Sequence, residues 1–262
     1  MKKYELTTET LQFAGRTLHR IKALKDFGSV KAGQFGGWIE SEENLSQDGN
    51  AWIYDEAMVF DNAKVFDNAK ILGNAHIFGN AKVFDSARVY YSARVYGDAI
   101  VHDNAKVYGN ARIFCNAIVS GYAKVYCKAY VYRNAKVYNC AEVYDDAEVS
   151  DNALVYGYAK IFGYAKVSDF AEVYGNVRIY GNATISGDAK VHDAVDYKVF
   201  KNFWSSGRYF TWTRSNNMWS VGCFYGTGEE LIKKAYADSE KSGREYERVV
   251  RYVESILADE RK

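Results

Sequence analysis

The stretch Gly109-Asn110-Ala111-Arg112-Ile113-Phe114 decides how this chain is read. Stepping by six from Ala51 to Ala189 gives 24 positions, of which 23 are Ala and the other is Val177. Two residues further on, all 24 positions from Ile53 to Val191 are Ile or Val. Side chains two apart on an extended backbone point the same way, so each Ala and its aliphatic partner both face inward. The residue between them is mostly Lys, Arg or Glu, and the one after them mostly Tyr or Phe; both face outward. The remaining two places are dominated by Gly-Asn, Asp-Asn and Gly-Asp, which tolerate left-handed backbone angles and turn a tight corner. A small inward residue beside each corner and a branched aliphatic on each flat fill a narrow prism. Only a solenoid sustains such a pattern for so long.

An aliphatic residue followed four positions later by a small one, as in Val107 with Ala111 and Ile113 with Ala117, resembles the hexapeptide-repeat family. The resemblance implies a left-handed parallel β-helix, a triangular prism with three hexads per coil, although the general crossover rule favours the right hand. About eight coils follow from the 24 hexads. At the spacing of stacked strands they make a prism roughly 38 Å long. The expected fold is an all-β solenoid over residues 51–195, with an N-terminal β cap over 1–50 and a small C-terminal α+β module over 196–262.

Open solenoid ends expose unpaired strand edges, so both should be covered. Tyr4 to Leu24 read as two strands around Ala14-Gly15-Arg16, and Ile39 and Leu45 continue the six-residue step with larger residues. The lead-in from Leu45 to Tyr54 is similar to that of uncharacterised bacterial and prophage hexapeptide-repeat proteins that carry an acetyltransferase label. After Val191 the register breaks, with Ala194 standing where position 195 was due. Tyr209–Thr213 and Met218–Phe224 read as a hairpin around Ser215-Asn216-Asn217. Thr227 with Glu230, and Ser242 with Glu245, are capping-box signatures for two helices. The second helix gathers Tyr246, Val249, Val250, Val253, Ile256 and Leu257 on one face. This tail resembles a C-terminal module of phage and prophage proteins.

A formal net charge of +1 argues against attachment to nucleic acid or membranes by bulk charge. No apolar run is long enough to span a membrane, and Met1-Lys2-Lys3-Tyr4-Glu5 leads into no apolar segment, so no secretory signal is expected. Cys115, Cys127, Cys140 and Cys223 lack metal-type spacing, and no two are a coil apart, which reads as free thiols in a reducing cytoplasm. Neither a metal nor a cofactor is expected.

The family resemblance implies trimeric acyltransferases in which a His near the subunit boundary deprotonates the acceptor and acyl-CoA lies along the prism. It also implies a loop inserted between hexads to shape the site, and the 24 hexads here contain none. The coil histidines His76, His102 and His192 all face outward. His102 and His192 share a face but stand five coils apart, about 24 Å at the strand spacing. His102 is the better candidate base, because Ile100, Ile118 and Ser120 beside it suggest a partly buried groove.

Sorting the outward positions by coil gives three columns. The first carries Tyr54, Leu72, Tyr90, Tyr108 and Tyr126 beside Trp52, Lys70, Arg88, Lys106 and Lys124. It reads either as a self-stabilising ladder or as a stacking platform for single-stranded nucleic acid. Glu142, which breaks the basic row, favours the ladder. The second column runs Phe60, Phe78, Tyr96, Phe114 and Tyr132, then switches to Ser150, Ser168 and Ser186. In the third, Ile100, Ile118 and Leu154 form an apolar stretch expected to meet another copy or the C-terminal module. A homo-oligomer follows, and the family implies a trimer.

The C-terminal hairpin concentrates Trp204, Arg208, Tyr209, Trp212, Arg214 and Trp219, a set used by interface hot spots and nucleotide pockets alike. The plainer alternative is that one hairpin face packs on the helices and the prism end. Ser205-Ser206-Gly207-Arg208 offers backbone N–H groups to an anion. Because fold does not imply function, two functions stand at this point. One is a non-catalytic binding scaffold of phage or prophage origin that engages a host protein or sequesters a nucleotide-like ligand, with an anti-defence role as one form of this. The alternative is an acyl-CoA-dependent acyltransferase.

Overall fold

The computed structural model describes residues 2–260. The hexads fold into two-residue strands, from β4 (Trp52–Ile53) to β27 (Lys190–Val191), each followed by a corner. Each strand pairs in parallel with the one a coil later, as Arg88 with Lys106 and Val89 with Val107. Three parallel faces result. The first runs from β4 to β25 (Arg178–Ile179), the second includes β5 (Met58–Val59) and ends at β26 (Thr184–Ile185), and the third runs from β6 (Lys64–Val65) to β27. Every inward Ala, Ile and Val of the repeat is buried, Val177 included. The outward rings stack nearly face to face, Tyr90 on Tyr108 and Tyr108 on Tyr126 at 4.8 Å. The ladder is therefore the arrangement these columns adopt.

The first residue of each corner has positive φ. Where it is Gly, as at Gly73, Gly97 and Gly109, φ lies at 68°, 70° and 72°. Where it carries a side chain, as at Asp103, Cys127 and Tyr91, φ closes to 57°, 58° and 60°. A Cβ at Gly109 with its present φ would stand 2.9 Å from the Cys127 nitrogen one coil on. The corners that carry a side chain thus hold a smaller φ than those that carry Gly. Asp at a corner also accepts the N–H of the next coil's corner residue, as Asp103 does from Gly121 at 2.9 Å and Asp55 from Gly73 at 2.9 Å.

The N-terminal hairpin of β1 (Tyr4–Phe13) and β2 (Arg16–Ala23) turns through Ala14 and Gly15, both at positive φ. β2 pairs antiparallel with β3 (Phe35–Ile39), and β3 pairs in parallel with β5, so the cap extends the second face's sheet. Ile39 and Leu45 lie opposite Val59 and Val65, at the aliphatic place of the hexad. The expectation that they continue the Ala step is corrected here. Leu45 and Ile53 are eight residues apart rather than six, because the intervening corner is widened to receive Lys3. The Lys3 ammonium donates to the carbonyls of Asp48 and Ala51, and Tyr4 and Phe27 pack edge-on against the buried Trp52. With this lead-in turn the solenoid has about nine turns.

The C-terminal module is a four-stranded antiparallel sheet of β28 (Tyr197–Lys201), β29 (Tyr209–Thr213), β30 (Met218–Val221) and β31 (Phe224–Gly226), followed by α1 (Gly228–Asp238) and α2 (Glu240–Asp259). The single strand expected over 218–224 breaks at Gly222, whose φ of 57° turns the chain back on itself. Thr227 and Glu230 form the capping box that the sequence indicates. The second helix starts earlier than expected: Ser239 caps it by accepting from the Ser242 N–H at 3.1 Å. Among the described residues no helix is long and apolar enough to cross a membrane.

Candidate functional site

The junction between the last coils and the C-terminal sheet brings the most chemistry together. Past Val191, Asp193 caps a short turn over Ala194–Asp196, and the buried Asp196 carboxylate accepts the N–H groups of His192 and Asp193 at 2.9 and 3.0 Å. This turn redirects the chain into β28, whose sheet meets the second face at its last strand, β26. The Thr184 N–H donates to Thr211 Oγ1 at 2.9 Å, and the Ser186 and Ser220 hydroxyls meet at 2.7 Å. At Ser186 the small residue of the second column has its cause. A ring there would occupy the space in which β30 docks.

One sheet face thus holds Thr211, Thr213 and Ser220 against the solenoid. The other holds Phe210, Trp212, Trp219 and Val221 beneath α1 and α2. Trp212 and Trp219 are 1% and 2% exposed, so the structure places them in the module's core and not on a surface. Trp204 packs edge-on against Phe210 and Tyr246. Arg214 is paired with Glu260, and its backbone N–H donates to Asp196. Of the six hairpin residues singled out in the sequence, Arg208 and Tyr209 are exposed.

Tyr209 stands between two openings. On one side is a cavity of about 780 Å³ lined by Val177, Arg178, Tyr180, His192 and Lys198. On the other is a groove of about 620 Å³ containing Lys166, Thr184 and Arg208, with Glu148 and Asp146 at its edge. Val177, the one departure from Ala in its column, lines the first of these. His192 Nδ1 is 2.7 Å from Asp196 Oδ2, and the imidazole stacks on Tyr174. A His whose Nδ1–H is held by a buried carboxylate keeps Nε2 free to accept a proton. Partial burial pushes the Asp196 pKa up, but the two backbone N–H groups and His192 outweigh it, and the carboxyl stays below its ordinary range. This pair straddles the end of the repeat and was not among the groupings that the register singles out. Its signal was the spacing of four between His192 and Asp196 across the register break.

His102 sits elsewhere on the third face. It stacks on Phe84, with Nδ1 3.4 Å from Asp103 and 3.8 Å from Asp85. Their ligand atoms lie within 4.8 Å of one another, a spacing a cation could use. Each carboxylate, however, already accepts a corner N–H, Asp85 from Asp103 and Asp103 from Gly121, as at many other corners. Ile100 and Ile118 are neighbours across their strands, while Lys136 separates Ile118 from Leu154 and interrupts the apolar stretch. His76 lies under the hairpin tip against Phe13; burial, aided by the Arg94 charge, pushes its pKa down.

A family model described as the YdcK beta solenoid repeat matches residues 171–187 and 177–193. The chain folds as a β-solenoid of six-residue repeats, and its last coils are similar to that family's repeat. It is 42% identical over 64 residues to a protein of Escherichia coli (strain K12) described as uncharacterized acetyltransferase YdcK. That match spans 21% of this chain and 20% of the relative, so it does not speak for the whole of either protein.

Proposed function

We propose that this solenoid is a non-catalytic binding scaffold whose ligand or partner is met at the C-terminal junction, around Arg208 and Tyr209. The observation that carries the reading is the uninterrupted run of hexads. Each outward His is tied into a ring stack or beneath the hairpin, and no inserted loop encloses a reaction site. A rigid stack of this kind holds its two end modules at a fixed separation and orientation, as a presenting scaffold requires. The exposed Arg208 and Tyr209, with Arg178 and Lys198 nearby, suit an anionic or nucleotide-like group or an acidic protein surface. On the third face, Ile100 and Ile118 offer a contact between copies of the chain, which light scattering of the purified protein tests. Native mass spectrometry of protein isolated from its own host tests the main reading. Retained ligand or partner that dissociates in Arg208→Ala supports it, and a retained acyl-CoA refutes it.

A second reading, acyl transfer, is favoured by the His192–Asp196 pair beside the cavity of about 780 Å³ and by the name the relative carries. In it His192 would take the acceptor's proton while Asp196 fixes the imidazole's orientation. Calorimetry with acetyl-CoA separates the two. Binding that is accompanied by a fall in turnover in His192→Ala establishes transfer, and absence of binding removes it.

A further inference from the structure

The first face carries a second feature that the junction does not use. Its basic row divides into two unequal halves. Below, Glu142 lies 3.1 Å from Lys124 and 3.6 Å from Lys160, so that half is neutralised within the column. Above, Lys70, Arg88 and Lys106 follow one another on paired strands, and among the described residues none has a carboxylate partner. Lys70 donates to the Ser29 hydroxyl, at 3.4 Å. Three cations thus stand in line at about 4.8 Å per step.

Beside this row the ring ladder has a gap. Leu72 stands between Tyr54 and Tyr90, and the missing ring leaves a concavity of about 550 Å³ lined by Leu72 and these rings, with Asp55, which accepts the Gly73 N–H, also in its lining. The N-terminal loop closes its upper edge at Ser29, and the filled ladder from Tyr90 to Tyr108 closes the lower one. The rim holds Tyr91, a bulky residue at φ 60° in a corner whose neighbours above and below are Gly73 and Gly109. A bulky side chain at positive φ is held against its backbone preference. Here the result is a ring 64% exposed at the edge of the concavity.

We propose that this concavity binds a nucleoside di- or triphosphate, with the base over Leu72 against Tyr91 and the phosphates along Lys70, Arg88 and Lys106. The cations supply charge in a line no longer than a short polyphosphate, and the rings supply a stacking surface for a planar base. The site is bounded at both ends, and Glu142 ends the positive row, so a single short ligand fits it better than a polymer strand. The inference stands apart from the junction around Arg208, and either can fail alone.

Calorimetry on the full chain with ADP and GTP, and with pyrophosphate and adenosine as part-ligands, tests it. Saturable nucleotide binding is expected, displaced by pyrophosphate and weakened at least tenfold in Arg88→Ala and in Lys106→Ala. Tyr91→Gly, which places the preferred residue in the corner, should leave the melting temperature unchanged or higher. It should weaken ADP several-fold while leaving pyrophosphate unaffected. Binding undiminished in Arg88→Ala, or no binding at millimolar nucleotide to protein of native melting temperature, overturns the proposal. So does a single-stranded oligonucleotide whose affinity rises with length beyond that of ADP.

Discussion

Gly109→Ala measures how the corners accommodate a side chain. Taken rigidly, the new Cβ would lie 2.9 Å from the Cys127 nitrogen and 3.1 Å from its carbonyl oxygen. A fixed backbone would then add an overpacking cost of about 1–3 kcal/mol to the left-handed penalty. The equivalent corners argue against a fixed backbone. Cys127, at the same corner one coil on, carries its side chain at φ 58°, against 72° for Gly109. If Gly109→Ala settles into the backbone that Cys127 adopts, only the left-handed penalty of about 1–2 kcal/mol remains. The smaller entropy of the unfolded Ala chain offsets about 0.4–1 kcal/mol of that. The expected loss is therefore about 1 kcal/mol, read by urea denaturation with an unchanged m value. Gly109→Asp should cost less than Ala, because its carboxylate would accept the Cys127 N–H as Asp103 accepts that of Gly121. A loss above about 3 kcal/mol for Ala, or Asp no better than Ala, would refute the reasoning.

Other perturbations test other parts of the molecule. Gly37→Ala should cost well over about 3 kcal/mol. Its Cβ would meet the Ala57 carbonyl at 2.4 Å and Ile53 Cγ2 at 2.7 Å, with no corner able to relax; urea denaturation reads it. Glu142→Gln should lose about 1 kcal/mol near neutral pH and low salt. Partial burial raises the Glu142 pKa, but the Lys124 hydrogen bond and the Lys124 and Lys160 charges outweigh it and leave it below 4.5. Its contribution is therefore complete above that value and fades as pH falls through the depressed pKa. Wild type and variant should converge in acid melting curves, and a gap that widens below pH 4 would contradict this assignment. Trp212→Ala should destabilise the C-terminal module by about 3–5 kcal/mol, seen as early proteolysis beyond residue 196, whereas Arg208→Ala should change stability by less than about 0.5 kcal/mol. Ser186→Phe should free the module from the second face, and amide exchange at Thr184 and Thr211 should accelerate while the helices stay protected.

The repeat was legible because its two inward places obey separate, simple constraints. Only a small residue fits beside a corner, and only a branched aliphatic fills a flat, so Ala111 and Ile113 announce their places one by one. The capping box at Thr227 and Glu230 was equally local. Three things were not visible in this way. The widened corner after Leu45 depends on Lys3, more than forty residues earlier in the chain. The burial of Trp212 and Trp219 depends on which hairpin face the helices choose, and both faces are compatible with the strand pattern. The meaning of Ser186 lay in a docking partner, since a small residue says that space is kept but not for what. The His192–Asp196 pair was hidden for a related reason. It forms where the register ends, and a reading based on register has no expectation there.

The coil-to-coil pairing also makes the chain a ruler with two kinds of division. Removing or duplicating eighteen residues, such as Arg88 to Ala105, changes the rod by one strand step and leaves every column on its own face. Removing six shortens the chain by a third as much, yet moves everything downstream onto the neighbouring face. The C-terminal module would then stand a third of a turn away from the N-terminal hairpin, with both still folded. Length and azimuth are thus set separately, by whole coils and by single hexads. The two ends of this rod can be placed at new separations or new angles without changing a residue in either.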